Sequence, residues 1–206
     1  STEVYSMKRD EQEKGIKYIL PNTMVQPKDP KTYALFVLAS DRGLCGSYNT
    51  MIAKEAIRRI DELKSQGKKV IVFSYGKKAT AGLNRYGFHD IKVSYPTVIK
   101  RHLTYGEALH FLHDVWHKKK QYNADICEIV YSDFLSGLSR EYLSKQVFPY
   151  DLGLSEDDVD LDKVDDSFYW YEPDKTAVLS NLASMYMRTK MFEILINSQA
   201  SEHAAR

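Results

Sequence analysis

The sequence contains only two cysteines, Cys45 and Cys127, which lie far apart in different sequence contexts. Two isolated cysteines exclude a disulfide-stapled scaffold and a cysteine-rich zinc site, and they fit a reducing compartment. No apolar run approaches the ~20 residues that a membrane-spanning helix needs. Lysine and arginine total 29 against 28 aspartates and glutamates, so no excess charge favours binding to nucleic acid or to an anionic membrane.

The composition is typical of a globular protein. Of the 206 residues, 43% are hydrophobic and 28% are charged, which fits one domain, or one domain with appendages. No signal peptide is visible, and the chain starts at Ser1 rather than at methionine, which predicts a processed chain or a fragment.

Apolar runs and helical spacings alternate from Thr32 onward. The pattern predicts strands at 33–39, 70–73, 91–93, 126–131 and 139–148, and helices at 50–65, 76–86 and 104–122. Thr104 and Glu107 have the spacing of a capping box at the start of the third helix. Because helical crossovers join buried strands, we expect an α/β fold with a mainly parallel sheet.

The first strand is followed by a glycine turn, defined here as residues 40–49 (SDRGLCGSYN). In an open α/β sheet such a turn lies at the carboxyl edge, where ligands bind. A phosphate cradle is one interpretation, although Gly43 and Gly46 fit neither dinucleotide nor P-loop spacing and no lysine follows. The second is a tight turn in which Ser47 and Asn49 are helix N-caps. The third is a docking loop that presents Asp41 and Arg42 as exposed charges.

Cys45 has two interpretations. It lies near Arg42 and the start of a helix, which could lower its pKa and make it a nucleophile. No histidine is close in sequence, so a small residue packed under the turn is favoured.

Other polar clusters favour solvated surface over chemistry. His110, His113 and His117 share one helix face with metal-binding spacing, but this face is opposite the apolar one and lacks the glutamate of a zinc-protease motif. The acidic segment 151–166 lacks the glycine and spacing of a calcium loop. The short lysine pairs and triplets do not form a nucleic-acid stripe. No catalytic, cofactor or metal site is predicted.

The last segment, 173–206, predicts a long helix that continues to the end of the chain. Val178, Leu182, Met185, Phe192 and Ile196 follow coiled-coil spacing, with Thr189 in the gap. At ~1.5 Å per residue the helix would extend roughly 50 Å, longer than a compact sheet covers. We therefore expect it to leave the domain and to require a partner.

The glycine turn closely resembles the strand-turn-helix motif of the gamma subunit of F-type ATP synthase. Residues 74–78 (SYGKK) and 198–206 (SQASEHAAR) resemble two further motifs of that family, and Tyr171-Glu172-Pro173 fits the start of its last helix. The resemblance implies a Rossmann-like α/β domain flanked by N- and C-terminal helices that form an antiparallel coiled coil. On this basis 1–20 is the end of the N-terminal helix, 21–32 a linker, 33–172 the α/β domain, and 173–206 the start of the C-terminal helix.

The resemblance also implies a function. Such a subunit is the non-catalytic central-stalk rotor, which couples ring rotation to ATP chemistry in the beta subunits. It contacts alpha, beta and epsilon subunits and the c-ring, binds no cofactor or nucleic acid, and is peripheral to the membrane. The cytoplasmic face of the bacterial inner membrane is favoured, with the mitochondrial matrix side as the alternative.

Subunit contacts are expected at Asp41, Arg42 and Cys45 in the turn and at Phe192, Ile196, Glu202 and Arg206 in the last helix. Most of the shaft is absent from this sequence, so we expect a fragment whose exposed seam promotes self-association. The plant-type regulatory cysteine pair has no counterpart. The alternative hypothesis is a small α/β enzyme that binds a phosphorylated ligand at the turn, and a third is a stand-alone docking module with a helical tail.

Overall fold

The computed structural model describes residues 24–137, 139–151 and 175–206. Within these ranges, five strands and four helices follow one another in the order β1 (Thr32–Leu38), α1 (Tyr48–Ser65), β2 (Lys69–Tyr75), α2 (Lys77–Arg85), β3 (Ile91–Tyr95), α3 (Tyr105–Gln121), β4 (Ile126–Ser136), β5 (Ser139–Phe148) and α4 (Lys175–Ala205). The predicted helix end at 1–20 and the acidic segment beyond Asp151 lie outside the described residues.

The five strands form one sheet in the order β3-β2-β1-β4-β5. The first four are parallel, and β5 pairs antiparallel with β4 as a hairpin. The expected α/β fold with a mainly parallel sheet is therefore confirmed. Because β2 lies on one side of β1 and β4 on the other, the strand order reverses at β1, and the glycine turn follows it at that point.

The two faces of the sheet pack against different helices. Alternate residues of β1 divide between them, since Phe36 belongs to the core under α3 and α4 whereas Leu35 and Val37 belong to the core under α1 and α2. All three side chains are fully buried. This alternation explains why β1 is a continuous apolar run, as expected of a strand covered on both faces.

One ion pair connects α1 to strand β4 of the sheet. The guanidinium of Arg59 donates to both carboxylate oxygens of Glu128 on β4, at 2.8 and 2.6 Å, and Ser144 on β5 donates to the same carboxylate. Glu128 is 4% exposed, so its charge requires these donors. Burial of a paired carboxylate fixes the position of α1 relative to the β4–β5 hairpin.

The predicted capping box of α3 is confirmed. The Thr104 side chain accepts from the backbone N–H of Glu107, and the Glu107 carboxylate accepts from the backbone N–H of Thr104 at 3.0 Å. The bond from Lys100 to Glu107 and this cap lower the pKa of the Glu107 carboxyl. Leu112 and Val115 face the core, and Trp116 is half-buried with its ring against Phe148.

The expectation that α4 leaves the domain is wrong for its described side chains. A stripe of Ala183, Met187, Met191, Ile194 and Leu195 is buried against the sheet and α3. At about 100° per residue, Met185 points roughly opposite to Met187, and it is 60% exposed. The helix therefore has two apolar stripes. The predicted seam belongs to the outer one, and the spacing did not reveal the inner one.

Two seam residues are less exposed than expected. Phe192 is half-buried and its ring packs edge-on against Tyr105, with 5.6 Å between the ring centroids. Ile196 is also half-buried. The start of α3 thus covers part of the outer stripe of α4 near these two residues, which leaves Met185 as its most exposed large side chain.

Candidate functional site at the glycine turn

The glycine turn makes its sharp bend with two residues in the left-handed region. Gly46 has a φ of 53°, as its sequence position indicated, but Leu44 also has a φ of 59°. The Leu44 side chain is 96% exposed. A leucine in a backbone conformation that favours glycine, with its side chain in solvent, indicates that the surrounding bonds fix the turn.

Asn49 supplies most of those bonds. Its side-chain oxygen accepts from the backbone N–H of Ser40 at 3.1 Å, and its amide nitrogen donates to the Cys45 sulfur at 2.9 Å and to the Arg42 carbonyl at 3.3 Å. Ser47 does occupy the N-cap position of α1, but its side chain makes no cap hydrogen bond. The predicted cap role of Asn49 is therefore wrong, and its side chain braces the loop instead.

Cys45 lies under the turn and is 2% exposed. The favoured interpretation, a small residue packed beneath the backbone, is confirmed over the exposed nucleophile. Cys127 is fully buried in β4, where burial raises the pKa of its thiol to about 12. Both cysteines are free thiols.

Asp41, one of the two charges in the docking-loop interpretation, is half-buried and hydrogen-bonded to the chain itself. Its carboxylate accepts from the backbone N–H of Lys77 at 2.9 Å and from that of Thr97 at 3.3 Å. The Thr97 hydroxyl donates to the Ala39 carbonyl at 2.7 Å. Asp41 therefore connects the first turn of α2 to the segment after β3. Its negative charge is favoured at this position because it lies at the N-terminus of α2. Arg42 is exposed, so its role in docking stays a prediction.

The first amides of α2 also bond to oxygens just beyond the end of β1. Here Asp41 accepts from the backbone N–H of Lys77, and the Ser40 carbonyl accepts from that of Lys78 at 3.0 Å. Gly76 permits this close approach, because a Cβ at that position would lie 2.2 Å from the Ala39 carbonyl oxygen. Oxygens of the chain itself thus occupy the first amides of α2 and hold this helix against the end of β1.

The end of α4 docks on the glycine turn. Arg206 donates twice to a Glu202 oxygen, at 2.8 and 2.5 Å, and once to the Gly43 carbonyl at 3.1 Å. Tyr48, which is fully buried, donates to the Ser198 carbonyl at 3.4 Å. Burial, followed by the charge of Glu202, raises the pKa of Tyr48. The turn and the 198–206 motif therefore form one site, which their separation in the sequence did not indicate.

Small polar residues continue this contact along β4. The hydroxyls of Ser132 and Ser201 are both buried and lie 2.5 Å apart, and Asn197 donates to the Asp133 carboxylate at 2.6 Å. Serine side chains allow the helix to approach the strand closely, and their hydroxyls bond each other where apolar residues would only pack. Sequence reasoning missed this contact, because the serines had no place in the apolar pattern.

A cleft of about 520 Å³ opens between the turn, the segment after β3 and the end of α4. Its basic lining comprises Arg42, Lys100, Arg101 and Arg206, and its acidic lining is Asp41 and Glu202. Both carboxylates accept hydrogen bonds from the chain itself.

The three helix-face histidines are exposed on α3, as the interpretation of a solvated face predicted. His110, His113 and His117 all lie at the surface. Within residues 24–137, 139–151 and 175–206, no group of three metal-binding side chains comes together. No helix in these ranges is long and apolar enough to span a bilayer.

Comparison with known proteins identifies the family. The protein-family model described as ATP synthase matches residues 3–206, nearly the whole chain. The chain belongs to the ATP synthase gamma-chain family. Among its relatives, the ATP synthase gamma chain of Paracoccus denitrificans (strain Pd 1222) is 31% identical over 189 residues, which cover 90% of this chain and 62% of that protein. That of Aliarcobacter butzleri (strain RM4018) is 32% identical, over 89% of this chain and 61% of its own length.

Solved structures agree on the fold. A chain from the central stalk and c-ring structure of the Tetrahymena thermophila mitochondrial ATP synthase has a TM-score of 0.61 at 22% identity, covering 87% of this chain and 75% of that one. A chain of the Euglena gracilis mitochondrial ATP synthase rotor has a TM-score of 0.55 at 17% identity, covering 86% and 64%. The present chain spans about three fifths of the length of the gamma chains it matches.

Proposed function

We propose that this chain is the sheet domain and the adjoining helix of the central-stalk rotor of a proton-translocating F-type ATP synthase. In this role it couples ring rotation to ATP synthesis or hydrolysis in the beta subunits and catalyses nothing itself. The match to the gamma-chain family over residues 3–206 carries the proposal. The expected contacts with alpha, beta and epsilon subunits and with the c-ring follow from that family membership.

The two-striped α4 supports this proposal. Its inner stripe, around Met187 and Met191, is buried against the sheet, while Met185 on the outer stripe is 60% exposed. An apolar stripe that the sheet does not cover suits pairing with a second helix, as a coiled-coil shaft requires. A helix that is fixed on one side and pairs on the other can transfer torque between a shaft and a sheet domain.

The glycine turn supports the non-catalytic part of the proposal. The turn is held by contacts within the chain, since Asp41 accepts from the backbone N–H of Lys77 and the Ser40 carbonyl accepts from that of Lys78. Cys45 is buried, so it offers no exposed nucleophile. These contacts weaken the alternative of a small α/β enzyme for a phosphorylated ligand, and they give the turn a structural task instead.

We place the protein at the membrane periphery through its complex, on the cytoplasmic face of a bacterial inner membrane. The matrix side of the mitochondrial inner membrane is the alternative. The relatives from Paracoccus denitrificans and Aliarcobacter butzleri favour the bacterial site, whereas the similar structures come from mitochondrial enzymes.

Co-purification tests the proposal. A tagged full-length form of the chain, expressed in its source cells, should recover alpha and beta subunits in fixed stoichiometry. The same chain purified alone should bind no ATP in a calorimetric titration. Recovery without alpha and beta subunits, or tight ATP binding by the chain alone, would contradict the rotor function.

Two variants make the test specific to α4. Met185→Glu places a charge on the exposed outer stripe and should reduce the recovery of alpha and beta subunits. Lys190→Glu introduces a carboxylate on the flank of the same helix, where a surface pair with Glu193 and a cation–π contact with the Tyr186 ring are lost, and should leave recovery unchanged. Equal recovery with both variants would show that the outer stripe of α4 is not part of the surface through which the chain assembles with the alpha and beta subunits.

A further inference from the structure

The guanidinium of Arg206 connects the end of α4 to the glycine turn. Arg206 reaches across from the helix to the Gly43 carbonyl, while two of its N–H groups bind Glu202 one helical turn earlier. Glu202 is only 8% exposed, so its carboxylate is held in a largely desolvated position. Arg206 itself is exposed, so the buried member of the pair is Glu202, whose carboxylate orients the guanidinium through charge-assisted bonds.

The backbone it reaches is the strained part of the turn. Gly43 precedes Leu44, which has a φ of 59° and an exposed side chain. A Cβ at Gly46 would lie 3.9 Å from the Ala205 carbonyl oxygen, so the turn and the last helical residues are in direct contact. Asn49 braces the turn from inside, and Arg206 holds it from the helix side.

We propose that Glu202 and Arg206 form a latch that fixes the end of α4 to the glycine turn, making this junction a rigid joint through which torque passes between helix and sheet domain. This inference rests on the proposed rotor function. Glu202 is a positioning residue, since it acts by orienting Arg206. The joint matters because coupling between distant sites requires a stiff, continuous connection.

The two cysteines provide a local probe of the latch. Cys45 lies under the turn at 2% exposure, and Cys127 lies in the centre of the sheet at 0%. Opening of the latch should expose Cys45 and leave Cys127 protected, because the sheet does not depend on Arg206. General loss of stability would expose both thiols.

The experiment compares Arg206→Gln with Lys190→Gln in the assembled ATP synthase. Lys190→Gln removes an ion pair on the same helix that does not touch the turn. With iodoacetamide as the thiol probe and mass spectrometry as the readout, Arg206→Gln should raise the modification rate of Cys45 about tenfold and leave Cys127 unchanged. Lys190→Gln should change neither rate.

Coupling is measured in the same preparations reconstituted into vesicles. For Arg206→Gln, proton pumping per ATP hydrolysed should fall several-fold, because a less stiff connection between helix and sheet domain transmits less of the torque. Arg206→Lys keeps the charge but not the planar fork, so it should restore coupling only in part. Glu202→Gln, which keeps an acceptor oxygen, should have a smaller effect than Glu202→Ala.

Several outcomes would overturn the latch. An unchanged Cys45 rate in Arg206→Gln contradicts the contact as a restraint on the turn, and equal rises at Cys45 and Cys127 show general destabilisation instead. A raised Cys45 rate with unchanged coupling contradicts the torque-bearing role. Failure of the wild-type chain to assemble at all would count against the proposed rotor function and is distinguishable from each of these results.

Discussion

Gly76→Ala should disrupt the joint between β2 and α2 and, with it, the support of the glycine turn. Gly76 has φ and ψ of 104° and 134°, a region that residues with a side chain rarely adopt. The added Cβ would lie 2.2 Å from the Ala39 carbonyl oxygen and 2.9 Å from that of Ser40. Both are backbone atoms, so they cannot rotate away as a flexible side chain would.

The magnitude follows from two costs. Holding alanine in this backbone region costs about 1–3 kcal/mol, and the overlap adds about 1–3 kcal/mol. A smaller entropy loss in the unfolded chain, about 0.4–1 kcal/mol, offsets part of this. We expect Gly76→Ala to lower the free energy of unfolding by about 3 kcal/mol, a large share of the ~5–15 kcal/mol typical of a domain.

Gly87→Ala is the matched control. Gly87 also has a positive φ, 81°, but no atom lies within 4 Å of the position that an alanine Cβ would take there. Only backbone strain applies, so the cost should be about 1 kcal/mol. In urea unfolding of the full-length chain, the midpoint should fall much further for Gly76→Ala than for Gly87→Ala, with similar slopes. Equal midpoints would refute the close approach of Gly76 to β1.

Three further changes test other contacts by the same urea measurement. Gly82→Ala should destabilise by about 1–3 kcal/mol, because its Cβ would lie 2.7 Å from that of Ala53; a gain in stability would contradict the tight α1–α2 contact. Asp41→Asn should lower the free energy of unfolding by about 1.5–3 kcal/mol, since a charged acceptor of backbone N–H groups is lost. An unchanged free energy of unfolding would contradict the role of Asp41 in holding the turn. Because the pKa of Glu107 is lowered in the folded state, its contribution is present above its ordinary value of 4.5 and is lost as pH falls through the folded pKa. The stability difference between wild type and Glu107→Gln should therefore vanish in acid, and a pH-independent difference would contradict the pairing.

The sequence predicted the parts of the fold that local signals determine. The buried run of β1, the strand-turn-helix order and the capping box of Thr104 and Glu107 all depend on neighbouring residues, and each is confirmed. The hairpin of β4 and β5 was predicted only as a fifth strand, because pairing direction is not visible in a single strand.

Contacts between distant residues could not be predicted. The docking-loop interpretation took Asp41 as exposed, because the backbone N–H groups that it binds, on Lys77 and Thr97, lie 36 and 56 residues away. The partner of Glu128 is Arg59, 69 residues earlier, and nothing in strand β4 identifies it. Pairings of this kind depend on the sheet order, which the residue pattern alone leaves open.

The last helix shows a different limit. Both stripes of α4 contain apolar residues at helical spacing, so periodicity alone cannot decide which stripe faces the sheet. Coiled-coil spacing predicts the stripe through Met185 and passes over the stripe through Met187 and Met191. Each stripe is consistent with its own partner, the sheet for the inner one and a second helix for the outer one.

Rotation of this chain within the enzyme is the most direct test of the rotor function. His110→Cys introduces an exposed thiol on α3, and Cys45 and Cys127 are too buried to compete for a label. With the alpha and beta subunits of the assembled enzyme fixed to a surface and a bead attached at this position, ATP should drive unidirectional rotation of the bead. ATP hydrolysis by complexes that contain the labelled chain, without rotation of the bead, would contradict the assignment of this chain as the rotor.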